Sequence, residues 1–266
     1  METNLPAPLA EGRTAVIYPW GDGLILKLFR TWCPAHWAEQ EAAIVRAICA
    51  VGIPTPAVGD MLEVNQRRGL IYERVDGISM LQDLNAHPQN LLAHSKTLAE
   101  LQVGIHRVSI PGLRSYKEAL VNPIRHAPYL DEDTRTRLLV QLAGLRDADK
   151  LCHADFHPGN ILMSARGAVI IDWMTACAGN PWADVARSSL LLTVGAEGEG
   201  KKLNPLLRLM ISLYHRHYLK HYQSHHPDTQ NELRQWLPVI AAGRLEEKIQ
   251  PERESLLKLI RTGLRV

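Results

Sequence analysis

The spacing of hydrophobic and polar residues changes character twice along this chain. The N-terminal third alternates in short runs. Thr14–Tyr18 is a β-rich run, and Trp20-Gly21-Asp22-Gly23 is a turn signal. Leu24–Phe29 then reads Leu-Ile-Leu-Lys-Leu-Phe, an apolar strand with one lysine inside it. Trp37–Val51 places Ala42, Val45, Ile48 and Cys49 at helical spacing, and Gly52 ends the pattern. Ile53-Pro54-Thr55-Pro56 reads as an extended connector, because each proline disfavours helix in the residue before it. Met61–Val64 and Gly69–Val75 predict a hairpin broken at 65–68 and closed at Asp76-Gly77.

Beyond Gly77 the period becomes helical. Gln89–Val108 carries Leu91, Leu92, Ser95, Leu98, Leu101, Gln102 and Ile105 on one side. Asp131 is placed to cap a helix running to about Gly144. A strand-like insert follows: Leu151-Cys152, then Ile161–Met163, a turn at Ala165-Arg166-Gly167, and Ala168–Ile171. From Trp182 the chain is helical again, with breaks near 195–200 and 224–228. The pattern predicts an α+β fold of two lobes: a small β-rich lobe over 1–76 and a larger, mainly helical lobe over 77–266.

Composition narrows the function classes. The 266 residues are 46% hydrophobic, enough for a core in each lobe. Lys and Arg number 30 against 28 Asp and Glu with no basic cluster, so no nucleic-acid partner is expected. The four cysteines, at 33, 49, 152 and 177, share no metal-ligand spacing and read as reduced thiols. Met1–Ala10 lacks the features of a secretory signal, and no apolar run approaches the ~20 residues that cross a bilayer. A soluble cytoplasmic protein without a membrane partner is the expectation.

The segment that carries chemistry is His153-Ala154-Asp155-Phe156-His157-Pro158-Gly159-Asn160, followed twelve residues after Asn160 by Asp172 in Ile170-Ile171-Asp172-Trp173. Phosphoryl transfer needs one carboxylate to hold the attacking hydroxyl and oxygen ligands to hold Mg²⁺ on the phosphates. Asp and Asn five residues apart put both side chains on one loop, and the hairpin Ile161–Ile171 returns a second Asp. Taken singly, each of these residues reads equally well as a turn or capping residue. A transition-metal site on His153, Asp155 and His157 is the other chemical reading, since alternating ligands share one face of a strand. It leaves Pro158-Gly159-Asn160 and the later Ile-Asp-Trp unexplained.

The segment resembles the catalytic loop of kinases. More closely, it resembles the aminoglycoside phosphotransferase and choline kinase family, in which the loop reads His-Gly-Asp-hydrophobic-His-Pro-Gly-Asn before an Ile-Asp-aromatic. Ala154 stands where that family has glycine. The resemblance implies a two-lobed kinase-like fold and Mg-dependent transfer of the γ-phosphoryl of ATP to a small-molecule hydroxyl. Asp155 is then the catalytic base, and Asn160 and Asp172 are the Mg²⁺ ligands. Lys27 would steady the phosphates, held by a helix glutamate, Glu41 in preference to Glu39; an edge-strand lysine facing solvent is the alternative for Lys27. The segment Glu11–Ala15 supplies one loop glycine, Gly12. In Leu70–Gly77, the Glu73 carbonyl and the Val75 amide would meet adenine. Asp184, in Gly179-Asn180-Pro181-Trp182-Ala183-Asp184, braces the catalytic loop or caps a helix. His153 braces the loop, and His157 does the same or approaches the phosphates.

The acceptor side is less legible. Residues 150–266 hold 15 Lys and Arg against 11 Asp and Glu, an unpromising balance for a polycationic aminoglycoside. Glu246 and Glu247 read as acceptor contacts or, more economically, as a solvated helix face. His215, His217, His221, His225 and His226 raise a metal site, but no acidic ligand is spaced with them. Tyr218, Tyr222 and Trp236 raise a cation-binding aromatic cage, with core packing as the plainer reading. A nucleotide-binding regulator is disfavoured by the intact motif residues. A protein kinase is disfavoured because no Asp-Phe-Gly and Ala-Pro-Glu pair bounds an activation segment.

Overall fold

The computed structural model describes residues 4–197, 204–226 and 230–265. The chain separates into two units, one of residues 1–83 with 159–174, the other of 84–158 with 175–266.

The first unit is built on five antiparallel strands: β1 (Ala10–Glu11), β2 (Ala15–Pro19), β3 (Leu24–Phe29), β4 (Val58–Val64) and β5 (Arg67–Glu73), in the order β1-β2-β3-β5-β4. β3 and β5 are interior, which is why β3 and the middle of β5, Leu70–Tyr72, are apolar without strict alternation. Leu26, Leu28, Val64 and Ile71 form the core, with Tyr18, Trp20 and Leu62 packed on it. Burial of each such side chain is worth roughly 1.5–3 kcal/mol. Helix α1 (His36–Ala50) buries Ala38, Glu41, Ala42, Val45 and Ile48, a helical stripe that includes one carboxylate. Gly52, at φ +79°, ends it in the left-handed region.

The β4–β5 hairpin turns on Asn65 and Gln66, both at positive φ, so the loop is shorter than the 65–68 break read from sequence. Asp76-Gly77 does not close it. Gly77 instead opens β6 (Gly77–Ser79), ahead of the short helix α2 (Met80–Ala86). After β7 (Lys150–Cys152) of the other unit, the chain returns as β8 (Ile161–Ser164) and β9 (Gly167–Ile170), and β6 adds to them as a third strand. A Cβ at Gly77 would lie 2.3 Å from the Met163 carbonyl oxygen, so this approach demands glycine. The proline connector is anchored to the same hairpin: the Pro54 carbonyl accepts from Ile170 N at 2.8 Å, and Thr55 Oγ1 accepts from Trp173 Nε1 at 3.0 Å.

The second unit is helical. It contains α3 (Leu91–His106), α4 (Tyr116–Arg125), α5 (Glu132–Gly144), α6 (Pro181–Thr193), α7 (Pro205–Ser224), α8 (Gln230–Leu245) and α9 (Arg253–Gly263). Asp131 caps α5 by accepting from Thr134 N at 2.7 Å. α4 is not announced by periodicity, because Pro123 interrupts its pattern, although Ser115 and Glu118 form a start signal. α9 is short, with Leu256, Leu257 and Ile260 buried on one face. β7 pairs with β10 (Cys177–Gly179), setting Cys152 opposite Cys177, both buried. Trp236, Tyr218 and Tyr222 are fully buried in this unit. α6 ends at Thr193 and α7 at Ser224, at the expected breaks near 195–200 and 224–228, of which residues 198–200 and 227–228 lie outside the described residues. Among the described residues no helix is long and apolar enough to cross a membrane.

Candidate active site

The sequence-derived candidates fall into two clusters, one in each unit. In the first unit, β3 is interior, so Lys27 cannot be an edge-strand lysine and is only 8% exposed. Its Nζ lies 2.7 Å from Glu41 Oε1 on α1 and 2.8 Å from Asp172 Oδ1 just beyond β9. Glu39 is exposed on α1 and takes no part. Tyr72 on β5 also donates to Glu41 Oε1, at 2.8 Å, while Glu41 Oε2 is buried and meets no hydrogen-bond partner among the described residues. Burial opposes the charge on Lys27, but Glu41 and Asp172 outweigh it and hold the ammonium well above its ordinary pKa. Burial and the Glu41 charge push the Tyr72 phenol upward, so Tyr72 serves as a donor.

Asp172 sits at φ +64°, an uncommon conformation for a residue with a Cβ. The Asn160 carbonyl accepts from Ile171 N at 3.0 Å, which ties the start of the hairpin to the residue before Asp172. Gly12 lies in the tight β1–β2 turn, where its N donates to the Ala15 carbonyl at 2.8 Å and its carbonyl accepts from Arg30 Nε at 3.0 Å. Glu73 ends β5, its carboxylate bound by Arg166, which lowers its pKa, and by the Ala57 amide at 3.2 Å. Val75 is half-buried in the loop before β6.

The second cluster surrounds Asp155. The capping role on α6 belongs to Asn180, which accepts from Trp182 N at 2.8 Å. Asp184 lies inside the first turn, fully buried, and its two oxygens accept from Ala154 N at 2.6 Å and His153 N at 3.2 Å. Gln102 Nε2 and His106 Nε2 reach the same carboxylate at 3.0 and 3.1 Å. Burial works against ionisation of Asp184, but the His106 and Gln102 hydrogen bonds prevail and its pKa falls below the ordinary value. Tyr218 donates to Gln102, and Tyr222 Oη lies 2.7 Å from His106 Nδ1. These tyrosines, read above as candidates for an aromatic cage, instead complete a buried polar network beneath the loop.

Ala154 holds φ +62°, the conformation that glycine takes without strain. His153 is buried, packs edge-on against Phe156, and accepts from Asp155 N at 3.3 Å through Nδ1. His157 Nε2 lies 3.8 Å from Asp155 Oδ2. Among the described residues no three His, Cys, Asp or Glu side chains are grouped as a metal ion would need. His217 and His221 face one another at 3.2 Å between their Nε2 atoms, and Ser95 Oγ lies 2.6 Å from His217 Nδ1.

Sequence reasoning missed Arg187. It sits on α6 one turn after Asp184, with its Nη2 3.4 Å from Asp155 Oδ1 and 2.7 Å from Glu247 Oε1. Its signal was present, since Asp184 and Arg187 are the only charges in the helix Pro181–Thr193. The solvated-face reading fails for Glu247: α8 ends at Leu245, and the carboxylate is held between Arg187 and Arg244.

The sequence profile of the phosphotransferase enzyme family matches residues 8–200, nearly three-quarters of the chain. The chain belongs to that family. This phosphotransferase therefore moves a phosphoryl group from ATP to a hydroxyl of a small molecule, as the loop motif implies. No curated protein matches it. Among solved structures, it is similar to a thermostable mutant of aminoglycoside phosphotransferase APH(4)-Ia in ternary complex with AMP-PNP and hygromycin B. That match has 17% identity and a TM-score of 0.68, and covers 97% of this chain and 92% of the other. An aminoglycoside-3'-phosphotransferase of type VIII matches at 21% identity and TM-score 0.62, with 91% of each chain covered. APH(3'')-Id from Streptomyces rimosus, in complex with ADP and streptomycin, matches at 17% and 0.54, covering 86% and 90%. These likenesses establish the protein-kinase-like α+β fold of the phosphotransferase.

Proposed function

We propose that Asp155 is the catalytic base, that Asn160 and Asp172 hold Mg²⁺, and that Lys27, fixed by Glu41, steadies the ATP phosphates. The observation that carries this reading is the Lys27 ammonium shared by Glu41 and Asp172, at 2.7 and 2.8 Å. A lysine held on two carboxylates is positioned to receive a phosphate chain. The donor set suits a hard cation, because the Asp172 carboxylate and the Asn160 amide offer oxygen and the Asp172 side chain is 42% exposed. Bound Mg²⁺ would supply positive charge against the phosphate oxygens.

Asp155 accepts the acceptor's hydroxyl proton and orients its oxygen, on a loop whose backbone Asp184 holds in place. His153 supports that loop from within, and His157 flanks the base. The Glu73 carbonyl and the Val75 amide take the adenine, and Gly12 lies over the phosphates. These roles follow by position from the family motif. The division into a nucleotide-binding lobe, 1–76, and a catalytic and acceptor-binding lobe, 77–266, and a cytoplasmic setting belong to the same reading.

The acceptor we favour is a neutral or singly charged hydroxyl compound rather than a polycation. Of Glu246 and Glu247, the two carboxylates the sequence offers for such a contact, Glu247 is already compensated by Arg187 and Arg244. A screen of hydroxylated metabolites and antibiotics for ADP release tests this. Turnover fastest on aminoglycosides overturns the acceptor class. Full turnover by Asp172→Ala overturns the site assignment.

A further inference from the structure

We propose that Arg187 is a positioning residue for the base, tied to the body of the unit by a chain of ion pairs running Asp155–Arg187–Glu247–Arg244–Glu252, half-buried at Asp155 and buried at Glu252. The proposal rests on Asp155 being the base. Arg187 Nη2 serves both Asp155 Oδ1, at 3.4 Å, and Glu247 Oε1, at 2.7 Å, and its side chain is 13% exposed. Glu247 Oε2 receives Arg244 Nη1 at 2.6 Å. Arg244 in turn grips Glu252 through two parallel bonds, Nε to Oε2 at 2.7 Å and Nη2 to Oε1 at 2.8 Å. Glu252 and Arg244 are 2% and 9% exposed, so this end of the chain is fixed.

The geometry decides which contact leads. The Arg187–Glu247 separation is that of a full charge-assisted hydrogen bond, while the Arg187–Asp155 separation is long for one. Arg187 is therefore anchored on Glu247 and approaches Asp155 from that anchor. Its Nε is buried and meets no hydrogen-bond partner among the described residues, so Nη2 carries the contacts to both carboxylates. Five acidic and basic side chains run in alternation from a doubly bonded end to the one carboxylate that must hold a substrate hydroxyl in line. An arrangement of this kind fixes the orientation of Asp155 without touching the nucleotide.

A double-mutant cycle on Arg187 and Asp155 tests the proposal, with ADP release from Mg·ATP and the best acceptor of the screen as readout and ATP affinity measured in parallel. Arg187→Met is expected to lower kcat by 10- to 100-fold with ATP affinity changed less than twofold. In an Asp155→Asn background the same change is expected to cost less than threefold, because the group it positions is already gone. Arg187→Lys, which retains charge but cannot fork between two carboxylates, is expected to fold and to lose at least 10-fold in kcat. Losses that multiply across the cycle, or a kcat within threefold of the parent for Arg187→Lys, overturn the positioning role. Asp155→Asn with undiminished turnover instead overturns the assignment of the base.

Discussion

Lys27 Nζ stands 2.8 Å from Asp172 Oδ1, joining the middle of an interior strand to the residue just after the β8–β9 hairpin. Removing Lys27 takes the only counter-charge among the described residues from the buried Glu41 carboxylate, which keeps just the Tyr72 hydrogen bond. Lys27→Met is expected to cost about 3–5 kcal/mol in urea unfolding, and the double variant Lys27→Met/Glu41→Leu to recover much of that loss. The folded-state pKa of Lys27 is raised, so its contribution is complete below its unfolded value near 10.5 and declines as pH climbs toward the folded one. Stability that does not fall in that alkaline window would contradict the pairing.

Asp184 offers a second measurement. Its carboxylate takes two loop amides and two side-chain donors, so Asp184→Asn is expected to lose roughly 3 kcal/mol, because the amide nitrogen now meets other donors. Retention of the parent's unfolding midpoint would show that the network is slack.

The acid side follows from Asp184 together with Glu247. Burial raises the pKa of Glu247, yet Arg187 and Arg244 prevail and lower it from 4.5 to about 2. A depressed carboxylate stabilises the fold above its unfolded pKa, and the benefit is lost as pH falls toward the folded value. Stability is expected to decline between about pH 5 and pH 2, and Glu247→Gln to flatten that decline. An unchanged slope in the variant would remove Glu247 from the account.

Ala154 and Gly77 test the backbone. Ala154→Gly relieves a positive φ and is expected to raise stability by about 0.5–1 kcal/mol in thermal unfolding. Gly77→Ala pushes a Cβ onto the Met163 carbonyl and is expected to cost about 1–3 kcal/mol, with loss of protection of the β6 amides from hydrogen exchange. The opposite sign in either variant would place the strain elsewhere.

How much of this was visible in the sequence depends on how local the cause is. Leu24–Phe29, the helix ending at Gly52 and the Asp131 cap were legible because periodicity, a stop residue and a capping side chain act within a few residues. The role of Gly77 was not, because its constraint is the carbonyl of Met163, far along the chain. The same holds for Arg187 and Glu247. A charge in a mainly apolar helix announces that it needs a partner, but only the fold says which one. Lys27 in its apolar strand announces a partner by that logic, and Arg187 in α6 does so equally.

The paired positions of Cys152 and Cys177 carry a consequence of a different kind. Both thiols are buried, and burial raises their pKa, so neither presents a reactive thiolate while β7 and β10 stay together. Cys33 and Cys49 are only half-buried. A thiol reagent should therefore label the protein in two steps, two sites early and two late. The late step is a clock for the opening of the strand that runs directly into His153 and Asp155, readable without substrate, nucleotide or any knowledge of the acceptor.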